Sequence, residues 1–246
     1  MKKAALFLLT TALFWVAVLP FLWRGEKKDR GEVLSLALVS ESRDQLKSDA
    51  VAEWLNLSAE KFTPLTTFNL KEGAEKLLKI GLMQKVQLYK LEPSALVVSY
   101  TLREPFATVA NWKNTGIDRG GHLFPLSPFF SPKELPELVF KKNQQLDYVS
   151  MVEAKLQQFP LAKSILQKNH LFFPWNIARV DLSRLDVEHP YGGEWVLTLK
   201  RGEQLLFVRL WLERYEESLS DLAKLLPKIE KGTGVDLRLS SRILVF

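Results

Sequence analysis

Residue types able to do chemistry are few and scattered in this chain. The three histidines, His122, His170 and His189, lie far apart, and none sits in a metal-ligand pattern. Each is expected to be structural or solvated. There is no cysteine, which excludes disulfides, thiolate catalysis and thiolate metal sites. No nucleophile elbow, phosphate loop or dinucleotide fingerprint occurs. Asp118, in Asp118-Arg119-Gly120-Gly121, is the best single candidate for a catalytic carboxylate. The competing reading is a turn residue bonding its own backbone ahead of glycines. Asp236 and Arg238 stand two apart, on one side of a strand, and are expected to form a structural ion pair. The residues therefore predict no catalytic group, no metal site, no cofactor and no small-molecule substrate.

A different kind of chemistry is suggested by Ile243-Leu244-Val245-Phe246, where four apolar residues run on without a charge. As an edge strand they would leave backbone N–H and C=O groups open to another strand. The alternative is a strand covered on both sides by its own sheet.

Elements that would position these residues follow from periodicity. Residues 33–39 read as a strand. A helix over 48–57, capped by Ser48 or Asp49, would bury Val51 and Leu55. Asn69 with Glu72 resembles a capping box opening a second helix, which Gly81 would stop. The period then changes to two over 85–91 and 95–103, with Leu96, Val98, Tyr100 and Leu102 on one face. Residues 107–112 read as a strand, and Pro125, Pro128, Pro132 and Pro136 punctuate a coil. Helix is expected over 144–159, interrupted by Pro160 and resumed over 161–169. Strands are expected over 176–182, 194–200 and 204–210, the last two joined by Arg201-Gly202-Glu203 as a hairpin. A helix over 212–226 and strands over 235–239 and 243–246 complete the chain. The fold class is α+β.

Residues 4–23 carry no charge and only Thr10 and Thr11 as polar side chains. As a helix, twenty residues span roughly 30 Å, the thickness of a bilayer core. The run is longer than a signal peptide's apolar region and lacks a small-residue cleavage site. It is expected to be an uncleaved anchor, with residues 1–3 as a short cytoplasmic tail and 24–30 as a juxtamembrane linker. Flanking charge nearly ties on orientation, since Arg24, Lys27, Lys28 and Arg30 follow the span. A long domain translocates despite such charge, so the bulk is expected outside the cytoplasm. Of the net charge of +6, residues 1–30 supply +4. The basic character is thus largely a membrane-flank property, and nucleic-acid binding is not expected.

In order and spacing, the chain resembles the FtsQ/DivIB family of bacterial cell-division proteins. The likeness rests on the apolar span and the strand-helix-helix-strand-strand order, similar to a POTRA domain. It also rests on Arg103-Glu104-Pro105-Phe106-Ala107 and on Asp118, Gly121 and Phe124 ahead of Leu135-Pro136. Trp195-Val196-Leu197-Thr198-Leu199-Lys200-Arg201-Gly202 and Val235-Asp236-Leu237-Arg238 complete it. The resemblance implies a POTRA-like domain over 31–106 and an FtsQ-type β domain over 107–246. It implies a non-enzymatic scaffold, single-pass in the inner membrane with its bulk periplasmic, that recruits FtsB and FtsL type divisome proteins to the septum. The family's FtsB contact lies near its last strands, which here means Val235, Asp236, Leu237, Arg238, Leu239, Ile243, Leu244, Val245 and Phe246.

Two other functions remain open at this point. One is a periplasmic envelope enzyme or peptidoglycan-binding module using Asp118. The other is a POTRA module of a secretion or assembly system, which would need tandem units and a barrel.

Overall fold

The computed structural model describes residues 33, 35–57, 63–140, 158–185, 189–229, 234–239 and 244–246. The apolar stretch 4–23 and the helix expected over 144–157 lie outside them. Among the described residues no helix is long and apolar enough to cross a membrane. The chain is α+β and divides into two compact units, one of residues 1–41, 46–77 and 86–100, the other of 42–45, 78–85 and 101–246.

The first unit is built on a strand-helix-helix-strand-strand order: β1 (Ser35–Ser40), α1 (Ser48–Trp54), α2 (Leu70–Lys79), β2 (Met83–Leu91) and β3 (Ala95–Leu102). The sheet runs β1-β3-β2, with β1 parallel to β3. β3 alternates without a break: Leu96, Val98, Tyr100 and Leu102 are buried and the residues between them half-exposed. That period puts every second side chain against the core. Val51, Leu55 and Leu77 supply further apolar burial. The Leu46 amide donates to the Tyr100 hydroxyl at 3.0 Å, so the phenol's polar end is satisfied inside the core.

Local signals acted here in part. The Glu72 amide donates to Asn69 Oδ1 at 3.2 Å, as a helix cap should. Gly81 follows α2 with φ +82°, the left-handed conformation that ends a helix. The cap expected at Ser48 or Asp49 is displaced. Lys47 holds the N-cap position with no side-chain bond, and Ser48 is already helical.

The second unit carries a nine-stranded mixed sheet in the order β12-β11-β10-β9-β8-β7-β4-β5-β6. Its strands are β4 (Ala107–Val109), β5 (Thr115–Ile117), β6 (Leu123–Pro125), β7 (Glu137–Val139), β8 (Asn176–Asp181), β9 (Glu194–Arg201), β10 (Gln204–Trp211), β11 (Gly234–Asp236) and β12 (Leu244–Val245). Helices α3 (Phe159–Gln167) and α4 (Tyr215–Leu225) add Ile165, Leu166, Leu219 and Leu222 to one buried cluster with Leu197, Val208 and Val235. The β9–β10 hairpin is the spine, in register from Arg201↔Gln204 to Glu194↔Trp211. Gly202, at φ +59°, makes its tight turn.

Along β10, Leu206, Val208 and Leu210 are buried, while Leu205, Phe207 and Arg209 are exposed. Cross-strand register places Val208 between Leu197 and Val235, so these share the core face. The opposite face carries Val196, Thr198, Phe207, Arg209 and Asp236. Among the described residues it is the open side of this part of the sheet.

The coil read between Pro125 and Pro136 is present over 126–136, and two short strands that the sequence did not announce, β6 and β7, border it. Pro125 ends β6 at the sheet edge, and Pro136 falls one residue before β7, where neither removes a ladder hydrogen bond. The helix expected from 161 begins earlier, at Phe159, so Pro160 belongs to it. The proline lies in the first turn of α3, where its missing N–H has no intrahelical partner to lose.

Candidate functional site

The residues singled out by type fall into two places, and both prove to be built structurally. Asp118 follows β5 in a tight turn. Its Oδ1 accepts from the Gly120 amide at 2.8 Å and the His122 amide at 2.9 Å, with His122 Nδ1 at 3.2 Å. Its Oδ2 accepts from Arg103 Nη1 at 2.7 Å. Arg103 also donates from Nε to the Gly81 carbonyl at 2.8 Å. Both side chains are largely buried, 12% and 14% exposed. Burial pushes the Asp118 carboxyl upward. The His122 amide and the Arg103 guanidinium outweigh that, so it lies below the ordinary carboxylate value. Gly121 completes the turn at φ +86°, and a Cβ there would collide with the Phe159 ring. Both carboxylate oxygens are thus engaged in holding the turn. The expected backbone-bonding turn residue is what the geometry displays, and no second carboxylate faces Asp118 in its bonding set. Among the described residues no group of three or more His, Asp or Glu side chains could hold a metal ion.

The second place is the sheet edge at β12. β12 pairs antiparallel with β11, Val235↔Val245 and Asp236↔Leu244. Gly234 and Phe246 exchange both backbone hydrogen bonds, at 2.9 and 3.0 Å. In an antiparallel ladder bonded and non-bonded pairs alternate. Val245 therefore directs its N–H and C=O away from β11, towards the outer side of the sheet. Among the described residues β12 is the last strand of the sheet order. Leu244, Val245 and Phe246 are 50%, 46% and 63% exposed. The register places Phe246, Gly234 and Phe207 in one row on the open face. A Cβ on Gly234 would overlap the Phe246 ring, so the glycine lets that ring lie across β11.

The residues expected to bind a partner are not equivalent. Val235 is fully buried in the core, and Asp236 is nearly so. Asp236 holds Arg238 instead: Nε donates to its two oxygens at 2.9 and 3.1 Å, and Nη2 to Oδ2 at 2.6 Å. The Arg238 hydrogen bonds depress the Asp236 carboxyl against a smaller opposing effect of burial. The Arg238 amide also donates to Asp236 Oδ1 at 3.0 Å, which fixes the direction of the chain leaving β11. The expected ion pair is present and its role is to shape the edge. Leu237 is half-buried against the core, whereas Leu239 is 51% exposed. Ile243 lies outside the described residues. The exposed side chains at this edge are thus Leu239, Leu244, Val245 and Phe246, and no strand among the described residues pairs with the outer side of Val245.

Sequence reasoning missed the neighbours of this edge. Leu205 and Phe207 are exposed at 44% and 45% on the open face of β10. A signal was present: Gln204–Trp211 is apolar at both alternating sets of positions, which a strand with one wet face does not need. Beyond them Trp211 stacks with His189 at 5.0 Å, and Arg238 lies over the Trp211 ring at 5.5 Å.

No model of a known protein family matches the chain, and no curated protein matches it.

Proposed function

We propose that this protein is a non-enzymatic, membrane-anchored cell-division scaffold of the FtsQ/DivIB type. It recruits FtsB and FtsL type partners to the septum by adding a partner strand to β12. The single observation that carries the reading is the edge itself: an apolar terminal strand with the Val245 N–H and C=O turned outward. Natural sheets usually blunt such edges with charge, proline or a covering element. Here the exposed side chains are Leu244, Val245 and Phe246. Strand addition supplies affinity through main-chain hydrogen bonds and specificity through alternate side chains. On this register Leu244 and Phe246 would meet the partner on the open face, and Val245 on the helix-covered face. The apolar stretch 4–23 supports an inner-membrane, single-pass location with the bulk periplasmic. The strand-helix-helix-strand-strand order of the first unit supports the POTRA-like reading.

Val245→Pro tests the reading. Proline removes a donor that no strand of the described sheet uses, so the fold is expected to persist. One lost backbone hydrogen bond plus the ring's steric conflict should weaken partner binding by about tenfold or more. Pull-down and titration from membranes would measure it, with circular dichroism confirming the fold. Unchanged affinity in a folded variant would refute strand addition at this edge.

A further inference from the structure

The open face of the second sheet holds a groove of about 350 Å³ between β8 and β10. That is within the usual size of small-ligand pockets, roughly 300–1,000 Å³. Three arginines, Arg179, Arg184 and Arg209, and two carboxylates, Asp181 and Glu194, line it. Arg179 is committed: its Nη1 donates to Glu137 at 2.8 Å, and Asp181 lies 3.7 Å from its Nη2. Arg184 and Arg209 are different. Each approaches Glu194 only at 3.7 Å, beyond hydrogen-bond range, and they are 72% and 47% exposed. Their planar donor forks are therefore available, and such forks suit a carboxylate.

Glu194 supplies the complementary half. Its Oε1 is buried and has no hydrogen-bond partner among the described residues. A buried carboxylate oxygen without a donor is costly. A simple anion brought to the arginines would also meet this carboxylate, and a simple cation brought to Glu194 would meet the arginines. A molecule carrying both charges satisfies the two together.

We infer that this groove binds a small zwitterion, such as a short peptide with free ends, its carboxylate on Arg184 and Arg209 and its ammonium on the Glu194 carboxylate, whose side chain is 17% exposed. The inference does not depend on strand addition at β12.

The test uses the detergent-solubilised full chain, titrated with the dipeptide alanyl-alanine while the Val196 and Thr198 amides are followed by NMR. Saturable shifts are expected, with a Kd on the order of a millimolar. N-acetyl-alanyl-alanine and alanyl-alanine amide each lack one charge and should bind at least about tenfold more weakly. Arg184→Met, at an exposed position, and Glu194→Gln should each weaken the parent dipeptide by a similar factor, and Glu194→Gln should erase the penalty for N-acetylation. Absence of saturation would overturn the proposal. So would equal binding of the blocked analogues, or binding of inorganic phosphate in place of the dipeptide.

Discussion

Asp118→Asn should remove one defined piece of stability and remove it only above acid pH. The amide oxygen of asparagine can still accept from the Gly120 and His122 amides, as Oδ1 does at 2.8 and 2.9 Å. Its NH2 group would then face the Arg103 guanidinium, which now donates to Oδ2 at 2.7 Å. What is lost is a charge-assisted hydrogen bond between two largely buried groups, worth about 1.5–3 kcal/mol. For a unit of this size about 2 kcal/mol corresponds to a fall in Tm of roughly 4–8 °C. Because the folded carboxyl lies below its ordinary 3.8, its contribution is complete above that value and is lost as pH falls through the lowered folded value. The variant has no carboxylate to titrate there. Thermal unfolding of the two proteins should therefore differ at neutral pH and converge as the pH falls through the lowered folded value. Arg103→Met should lower stability similarly, and the double variant should cost less than the sum of the two. A gap that persists unchanged in acid, or no gap at neutral pH, would refute the assignment of Asp118 as the anchor of this turn.

Two further expectations concern the second unit. Leu222, fully buried from α4 against the sheet, should cost about 2–5 kcal/mol on truncation to alanine, measured by denaturant unfolding. Pro160→Ala should change stability by less than about 1 kcal/mol, because the proline sits in the first turn of α3. Ile165→Pro, inside the same helix, should cost about 3 kcal/mol or more.

Long, periodic stretches were legible because a single burial face writes its period into the residues. Leu96, Val98, Tyr100 and Leu102 announced β3. Strands of three residues could not announce themselves. β6 and β7 offer too few positions to show alternation, and each gains its state from neighbours distant in the chain. β7 is held between β4 and β8, paired in parallel with both. Pro160 misplaced the start of α3 for a related reason: a proline's effect depends on where the helix begins, and that was decided by packing of Phe159 and Ile165 into the core.

At the candidate site, the amino acids alone determined that thiol chemistry is absent, that Asp118 and its glycines form a turn, that Asp236 reaches Arg238, and that the final stretch is apolar. Each follows from residue type or from separations of a few positions. Tertiary structure decided that β12 stands at the border of the described sheet, that Val235 turns inward while Leu244 and Phe246 turn outward, and that Glu194 lies among Arg184, Arg209 and Arg238. These depend on pairing between segments far apart in the chain, and a shift of one residue in that pairing would exchange the two faces.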